Sequence, residues 1–261
     1  MRVTNFRSVR VRSMQATIAA NAHNLVYGLD AIKGDAVETL AVQAGLDMPK
    51  ADPDAARKAE RAKGLKEAMV AAVTAYQEAL QRPEAEIARA YIDKRGLTPA
   101  TVEHFGLGYS PDARDWLFKK LIAQGFSAQV LIDAALVKAP DDGRPPFDMF
   151  RGRLMFPIWD RQGNPVAFGG RILGDGEPKY LNSPDTAIFH KGQLLYGHHL
   201  ARKAAHDRGE ILVVEGYMDA IALGQAGVEN AVADVFNLTT RQQILHVNAA
   251  HKSNVITILL L

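Results

Sequence analysis

The sequence contains no cysteine among its 261 residues. In this chain that excludes a disulfide framework, a cysteine-ligated iron–sulfur cluster and a cysteine-based zinc ribbon. Long apolar runs are also absent: the longest, Val255 to Leu261, is much shorter than the roughly 20 residues that span a bilayer, so we expect no membrane partner. No charge of one sign dominates either, because 31 Lys and Arg stand against 29 Asp and Glu. Net charge therefore gives no argument for or against nucleic-acid binding.

The amino terminus is basic and carries no clear targeting signal. Residues 1–33 contain five basic residues and one acidic residue. Such a start is compatible with a transit peptide or with an irregular extension, but it lacks the apolar stretch of a secretory signal. We therefore predict a cytoplasmic protein of one large or two small domains.

Helical periodicity dominates the first half of the sequence. In residues 55–81, apolar residues recur at steps of three and four, which is typical of an amphipathic helix that packs on a neighbour. Ile87, Tyr91 and Ile92 are expected on one face of a later helix, and residues 105–111 are predicted to form a loop. The predicted helices cover residues 35–46, 55–81, 84–94, 116–124 and 127–135, with a short one that begins at Thr98-Pro99.

Strands appear in the second half. Residues 154–159 and 166–173 are predicted to form a hairpin around the loop 160–164, with Pro157 at an edge or a bulge. A helix is predicted over residues 192–205. The last third then reads β-α-β-α-β over residues 211–214, 217–225, 231–233, 239–250 and 254–261. Apolar strands alternating with helices predict a parallel sheet that is covered on both faces.

Two carboxylates are the most specific chemical feature. Glu215 directly follows the predicted strand 211–214, and Asp219 comes four residues later in the following helix. Because α/β sheets bind ligands beyond the carboxyl ends of their strands, this pair could hold a hard cation such as Mg²⁺. Alternatively, Asp219 stabilises the positive helix amino terminus and Glu215 pairs with a nearby cation. Spacing alone leaves both interpretations open.

Basic residues accompany the strands without forming a simple basic run. Residues 147–191 hold six Lys and Arg against five Asp and Glu. Phosphate binding would need these cations to converge in space, and ordinary surface cations are the alternative. Four histidines, at positions 190, 198, 199 and 206, are also near one another in sequence. We do not expect zinc there, because adjacent histidines on a helix cannot both face one ion.

Several short motifs resemble those of bacterial DnaG-type DNA primases, in the family's order and at its spacing. They are Gly152–Ile158, Phe168–Arg171, Pro178–Pro184, Phe189–Gly192, Leu195–Gly197 and Val214–Asp219. The resemblance extends over residues 34 to about 233. Its Phe168–Arg171 and Pro178–Pro184 motifs distinguish the sequence from other Toprim enzymes, such as topoisomerases and nucleases.

The resemblance implies a two-part RNA polymerase core, with an α+β N-terminal subdomain followed by an α/β Toprim domain that is a Rossmann-like parallel sheet. Such cores copy a single-stranded DNA template into short RNA primers from nucleoside triphosphates. We accordingly divide the sequence into residues 1–33, a degenerate segment without a zinc ribbon; 34–83, a helical linker; 84–208, the N-terminal subdomain; and 209–261, a partial Toprim domain.

Roles for individual residues also follow from the resemblance. Glu215 would be the Toprim glutamate, as a ligand of Mg²⁺ or Mn²⁺ or as general acid/base, with Asp219 in support. The residues implied to contact the incoming nucleotide are Lys179, Tyr180 and Asn182. Those implied to line the template and triphosphate groove are Arg151, Arg153, Arg171 and Lys191.

The sequence also departs from the family pattern. The zinc that the family binds has no ligand set here, since residues 1–33 contain no cysteine and one histidine. Phe236 stands where the family has glycine, and Leu260-Leu261 stand where it has Asp-x-Asp. The family's domain for binding the replicative helicase has no counterpart in the sequence. We therefore expect a truncated or degenerate copy with an incomplete metal site, either impaired in primer synthesis or only able to bind DNA and nucleotides.

Overall fold

The computed structural model describes residues 54–234 and 255–258. Two compact units divide the chain, Met1–Ala55 and Ala56–Leu261, and the account below concerns the second. Several predictions lie outside the described residues. They concern the N-terminal segment and first helix, the position of Phe236, and the helix over 239–250.

Seven α-helices and nine strands are found in the described part of the chain. The helices are α1 (Ala55–Leu80), α2 (Glu86–Lys94), α3 (Pro99–His104), α4 (Trp116–Ala123), α5 (Ala128–Asp133), α6 (His198–Arg208) and α7 (Tyr217–Gln225). The strands are β1 (Gly108–Ser110), β2 (Val137–Lys138), β3 (Phe147–Asp148), β4 (Arg153–Trp159), β5 (Pro165–Ile172), β6 (Tyr180–Asn182), β7 (Glu210–Val214), β8 (Ala231–Ala233) and β9 (Val255–Ile258). Short 3₁₀ turns lie at Pro83–Ala85 and Lys191–Gln193.

Most predicted elements are present, and three predictions are wrong. The predicted loop over 105–111 contains β1, because its backbone pairs with β4. The predicted helix over 192–205 begins only at His198, where Gly197 adopts a φ of +79° that a helix interior does not allow. Ile87 is 49% exposed instead of sharing the buried face of Ile92, since α2 turns Ala88 toward the core.

The four-stranded sheet has the order β1-β4-β5-β6 and is antiparallel throughout. Pro157 lies in β4, which is flanked by two strands, but β1 pairs only with Arg153–Met155. On the β1 side, Pro157 therefore lies beyond the last paired residue of β4. Its missing N–H interrupts no hydrogen bond between these two strands. The register between β4 and β5 shifts at Ile158–Trp159, next to this proline.

Both faces of this sheet are buried, which explains why β4 lacks polar alternation. Leu154 and Phe156 pack into a cluster with α7, whereas the intervening Met155 packs with α1 on the other face. Because successive strand residues point to opposite faces, a sheet covered twice needs apolar residues at nearly every position. The α1 helix is therefore a core element of this unit.

The last third forms a parallel sheet of order β8-β7-β9, as the alternation of strands and helices predicted. Helix α6 packs on this sheet, and α7 packs between β8 and the antiparallel sheet. A continuous apolar cluster runs from Ala79 to Ala233 through both sheets. Among the described residues, none of the helices has the length and apolar character that crossing a membrane requires.

Candidate functional site

Glu215 lies exposed at the carboxyl end of β7, as its sequence position predicted. The backbone then passes Gly216, the N-cap of α7, and Asp219 follows in the first helical turn. The Asp219 carboxylate folds back over the cap, because a Cβ added to Gly216 would lie 3.0 Å from its Oδ2. The two carboxylates therefore sit at the same strand-to-helix turn.

Asp234 is a third acidic residue at this edge, and the sequence reasoning missed it. Val214 pairs with Ala233 across β7 and β8, so Glu215 and Asp234 follow at equivalent positions on neighbouring strands. The Asp234 backbone N–H donates to the Val214 carbonyl at 2.9 Å, and its side chain is buried. The missed signal was a carboxylate directly after a short apolar strand, the same pattern that identified Glu215.

These carboxylates do not amount to a complete metal centre. Within residues 54–234 and 255–258, no group of three or more His, Asp or Glu side chains is arranged to hold a metal ion. A tightly held Mg²⁺ takes near-octahedral oxygen ligands, of which the protein usually supplies one or two carboxylates alongside water and phosphate. Glu215 and Asp219 are thus a partial donor set among the described residues, and their binding of Mg²⁺ or Mn²⁺ stays a prediction.

Tyr217 connects this turn to the predicted nucleotide-binding segment. Its hydroxyl donates a hydrogen bond to Asn182 Oδ1 at 2.7 Å, which joins the first residue of α7 to β6. The ring is almost fully buried, stacked on Phe156 at 4.8 Å between centroids and edge-on to Tyr196 at 4.8 Å. Such pairs are worth about 1 kcal/mol beyond area burial, so Tyr217 holds the two parts together.

Glycines 169 and 170 have no side chain, and large neighbouring side chains fill the space that a Cβ would occupy. A Cβ at Gly169 would overlap the Tyr217 hydroxyl and approach its Cε2 to 2.7 Å. A Cβ at Gly170 would lie 2.8 Å from Phe150 Cδ1 and 3.0 Å from Arg153 Cδ. The sequence analysis identified this pair as part of a motif, and the structure gives the reason: three large side chains occupy the volume.

Arg171 and Tyr180 face each other across β5 and β6. The Arg171 guanidinium lies close to the Tyr180 side chain, and its Nη1 donates to the Ile172 carbonyl at 2.9 Å. Burial raises the pKa of Tyr180, while the positive charges of Arg171 and Arg95 oppose that rise. Tyr180 is 38% exposed, so a cationic and aromatic surface is open to ligand here.

Arg153, which the resemblance places along the template groove, is buried. Only 6% of the residue is exposed, and its Nη1 donates to the carbonyls of Gly170 at 3.1 Å and Pro178 at 3.0 Å. Burial also lowers the pKa of the guanidinium. Direct template contact by Arg153 is thus disfavoured, and its observed contacts instead hold Pro178 against β5, at the start of the nucleotide-binding segment.

The remaining predicted cations are accessible to different degrees. Arg151 and Lys179 are exposed, and Lys191 is partly buried in a 3₁₀ turn. The Lys191 backbone N–H donates to Asp185 Oδ1 at 3.0 Å, which fixes the turn rather than the side chain. Arg151 and Lys179 are therefore the more accessible of these three cations.

The family model described as the DNA primase catalytic core, N-terminal domain, matches residues 75–202. The DNA primase of Pseudomonas aeruginosa is 44% identical over 213 residues, which are 80% of this chain and 32% of that protein. The DNA primase of Escherichia coli K12 is 42% identical over 212 residues, again 80% of this chain and 36% of that protein. The chain thus spans about a third of the length of the curated relatives it matches.

Solved structures of primase catalytic domains also have a similar fold. A DnaG primase catalytic domain bound to single-stranded DNA superimposes with a TM-score of 0.69 at 40% identity, covering 77% of this chain and 64% of that one. The RNA polymerase domain of Mycobacterium tuberculosis primase DnaG gives a TM-score of 0.71 at 32% identity, covering 75% and 65%. By its motifs, its two-sheet fold and these similarities, the chain belongs to the DnaG-type DNA primase family.

Proposed function

We propose that this chain carries the template- and nucleotide-binding part of a primase core, which copies single-stranded DNA into short RNA primers. The observation that supports this most is the Tyr217–Asn182 hydrogen bond, because it places the Pro178–Pro184 segment beside the turn that bears Glu215. A solved relative is bound to single-stranded DNA, which supports a DNA template as the partner here. Copying DNA would place the protein in the cytoplasm.

The proposed roles of the individual residues follow from their positions and exposure in the structure. Lys179, Tyr180 and Asn182 contact the incoming nucleoside triphosphate, on the strand adjacent to Arg171. The accessible cations Arg151, Arg171 and Lys191 contact template and triphosphate phosphates, which gives affinity without sequence choice; Arg153 contributes by holding Pro178.

Nucleotidyl transfer needs metal-assisted charge neutralisation, to which Glu215 and Asp219 would contribute carboxylates toward Mg²⁺ or Mn²⁺. The sheet β8-β7-β9 is accordingly proposed to be a Toprim domain, with its boundary to the N-terminal subdomain near residue 209. Because the described residues supply only a partial donor set, we propose that this chain alone synthesises little or no primer.

Binding is tested by fluorescence anisotropy with a short labelled single-stranded DNA at several salt concentrations. Arg151→Ala and Lys191→Ala should each weaken binding and reduce the slope of log K against log salt by about 0.7, the value for one phosphate contact on a single strand. Lys203→Ala is the matched control, since Lys203 is an exposed α6 lysine paired with Asp207. Equal affinity for wild type and both variants would contradict the proposed DNA-binding surface.

Synthesis is tested with a template, labelled ribonucleotides and Mg²⁺ or Mn²⁺. We expect DNA binding with at most trace dinucleotide formation. Template-dependent product that disappears in Glu215→Gln would contradict the proposed inactivity and establish Glu215 as catalytic. Trace template-dependent product would support an impaired catalytic core, whereas binding with no detectable product would support the alternative, in which the chain only binds DNA and nucleotides.

A further inference from the structure

The ring of Tyr91, in α2, is in contact with two arginines near the proposed nucleotide-binding segment. The Arg171 guanidinium carbon is 4.2 Å from the centroid of the Tyr91 ring, and that of Arg95 is 5.2 Å from the same centroid. Arg171 comes from the antiparallel sheet, whereas Arg95 is the C-cap residue of α2. One aromatic ring therefore brings together two cations from separate elements.

The aromatic ring of Tyr91, and not its hydroxyl, makes the contacts with the two arginines. The Tyr91 hydroxyl oxygen is buried without a hydrogen-bond partner among the described residues, and so is Nε of Arg171. A buried polar atom without a partner normally costs about 1–3 kcal/mol, so hydrogen bonding does not explain why this side chain is placed here. A guanidinium over an aromatic face is attracted by the ring quadrupole, and this attraction grows where water is excluded.

Two positive charges near one ring repel each other. The structure offers no carboxylate partner for either guanidinium among the ion pairs of the described residues. The positive charges of both arginines act to lower the pKa of Tyr180, so both guanidinium groups lie near that side chain of the proposed nucleotide surface. Clustered arginines without acidic partners are typical of phosphate recognition, since an arriving anion relieves the repulsion.

We propose that Tyr91 is a positioning residue that holds Arg171 and Arg95 as a pair ready to receive a phosphate of the bound DNA strand. The inference rests on the proposed function, in which Arg171 contacts template. An arginine side chain loses considerable rotamer entropy when it is fixed by a ligand, and a ring that fixes it beforehand reduces that loss. Tyr91 itself needs no contact with DNA.

The test compares the affinity of Tyr91→Leu and Tyr91→Phe for single-stranded DNA by anisotropy, in the full chain. Tyr91→Leu removes the π-face but keeps an apolar side chain, and it should weaken binding about fivefold. Tyr91→Phe keeps the ring and loses only the unpartnered hydroxyl, so it should restore the affinity. Thermal unfolding followed by circular dichroism confirms that each variant is folded, and Tyr91→Met replaces Tyr91→Leu if that variant unfolds.

The double variants decide between positioning and a general structural role. If Tyr91 acts through the arginines, Tyr91→Leu should have little further effect on affinity in a background that carries Arg95→Ala and Arg171→Ala. An undiminished fivefold loss in that background would overturn the inference, as would full affinity in Tyr91→Leu while Arg171→Ala weakens binding. If Arg171→Ala itself leaves binding unchanged, the template role assigned to Arg171 fails first, and the inference fails with it.

Discussion

Replacing Gly169 by alanine tests the junction between the nucleotide-binding strands and the helix that follows Glu215. The added Cβ would overlap the Tyr217 hydroxyl and lie 2.7 Å from its Cε2, where carbon atoms normally approach to about 3.5–4.0 Å. The Tyr217 ring has little room to retreat, because Phe156 stacks on one face and Tyr196 contacts it edge-on. The ring or β5 must therefore shift by about 1 Å.

The expected cost is the sum of two effects. Forcing an extra methyl group into a packed core typically costs about 1–3 kcal/mol. Movement of the ring also breaks the 2.7 Å hydrogen bond to Asn182, which is worth about 0.5–1.5 kcal/mol net. We expect Gly169→Ala to lower the free energy of unfolding by about 2–4 kcal/mol.

The free energy of unfolding is measured by urea denaturation followed by circular dichroism. Gly174→Ala is the matched control, because a Cβ at Gly174 meets no atom within 4 Å. Tyr217→Phe should cost about 1 kcal/mol in the wild type but close to nothing in the Gly169→Ala background, where the hydrogen bond is already lost. A Gly169→Ala cost below about 0.5 kcal/mol, or additive costs in the double variant, would refute the reasoning.

Three further predictions concern the same unit. Gln225→Ala removes three hydrogen bonds of 2.7–2.8 Å that fasten the end of α7 to residues 96–101, and it should lower stability in urea by about 1–2 kcal/mol; the isosteric Gln225→Glu should retain part of it. Burial lowers the pKa of His199 to about 4, so its contribution to stability is present above pH 6.5 and is lost as the pH falls toward 4. Asp148, whose pKa burial raises to about 6, acts in the opposite direction but is present in both proteins and cancels in a comparison. The melting temperature of wild type minus that of His199→Gln should therefore decrease as the pH falls from 6.5 toward 4, and parallel curves would contradict the assignment. Arg153→Met removes the two hydrogen bonds that the buried guanidinium donates to the Gly170 and Pro178 carbonyls, and it should cost about 2–4 kcal/mol in urea denaturation; an unchanged midpoint would contradict a stabilising role for these bonds.

Local patterns were sufficient to predict the elements around the site. Helix α7 was predicted with the bounds that the structure shows, because Gly216 and Gly227 bracket a short apolar helix. The hairpin of β4 and β5 was equally clear, since a Gly-containing turn separates two apolar runs. The three-residue β1 was missed because so short a strand exists only through its pairing with β4.

Roles that depend on burial could not be predicted in the same way. Arg151 and Arg153 stand two residues apart in one motif, yet one is exposed and the other is enclosed by β5 and Pro178. Tyr91 had been assigned to an apolar helix face, whereas the structure places two guanidinium groups against its ring. The Arg171 contact joins residues about 80 positions apart, and no local pattern encodes it.

The sequence by itself determined the family, the order of helices and strands, and the position of Glu215 at the end of a buried strand, because motifs and periodicity are local properties. Only the tertiary structure decided which cations remain accessible, that Asp234 is adjacent to Glu215, and that Tyr217 fastens the carboxylate-bearing turn to β6. These outcomes depend on strand pairing and on which faces the helices cover, so they exist only once distant segments have packed together.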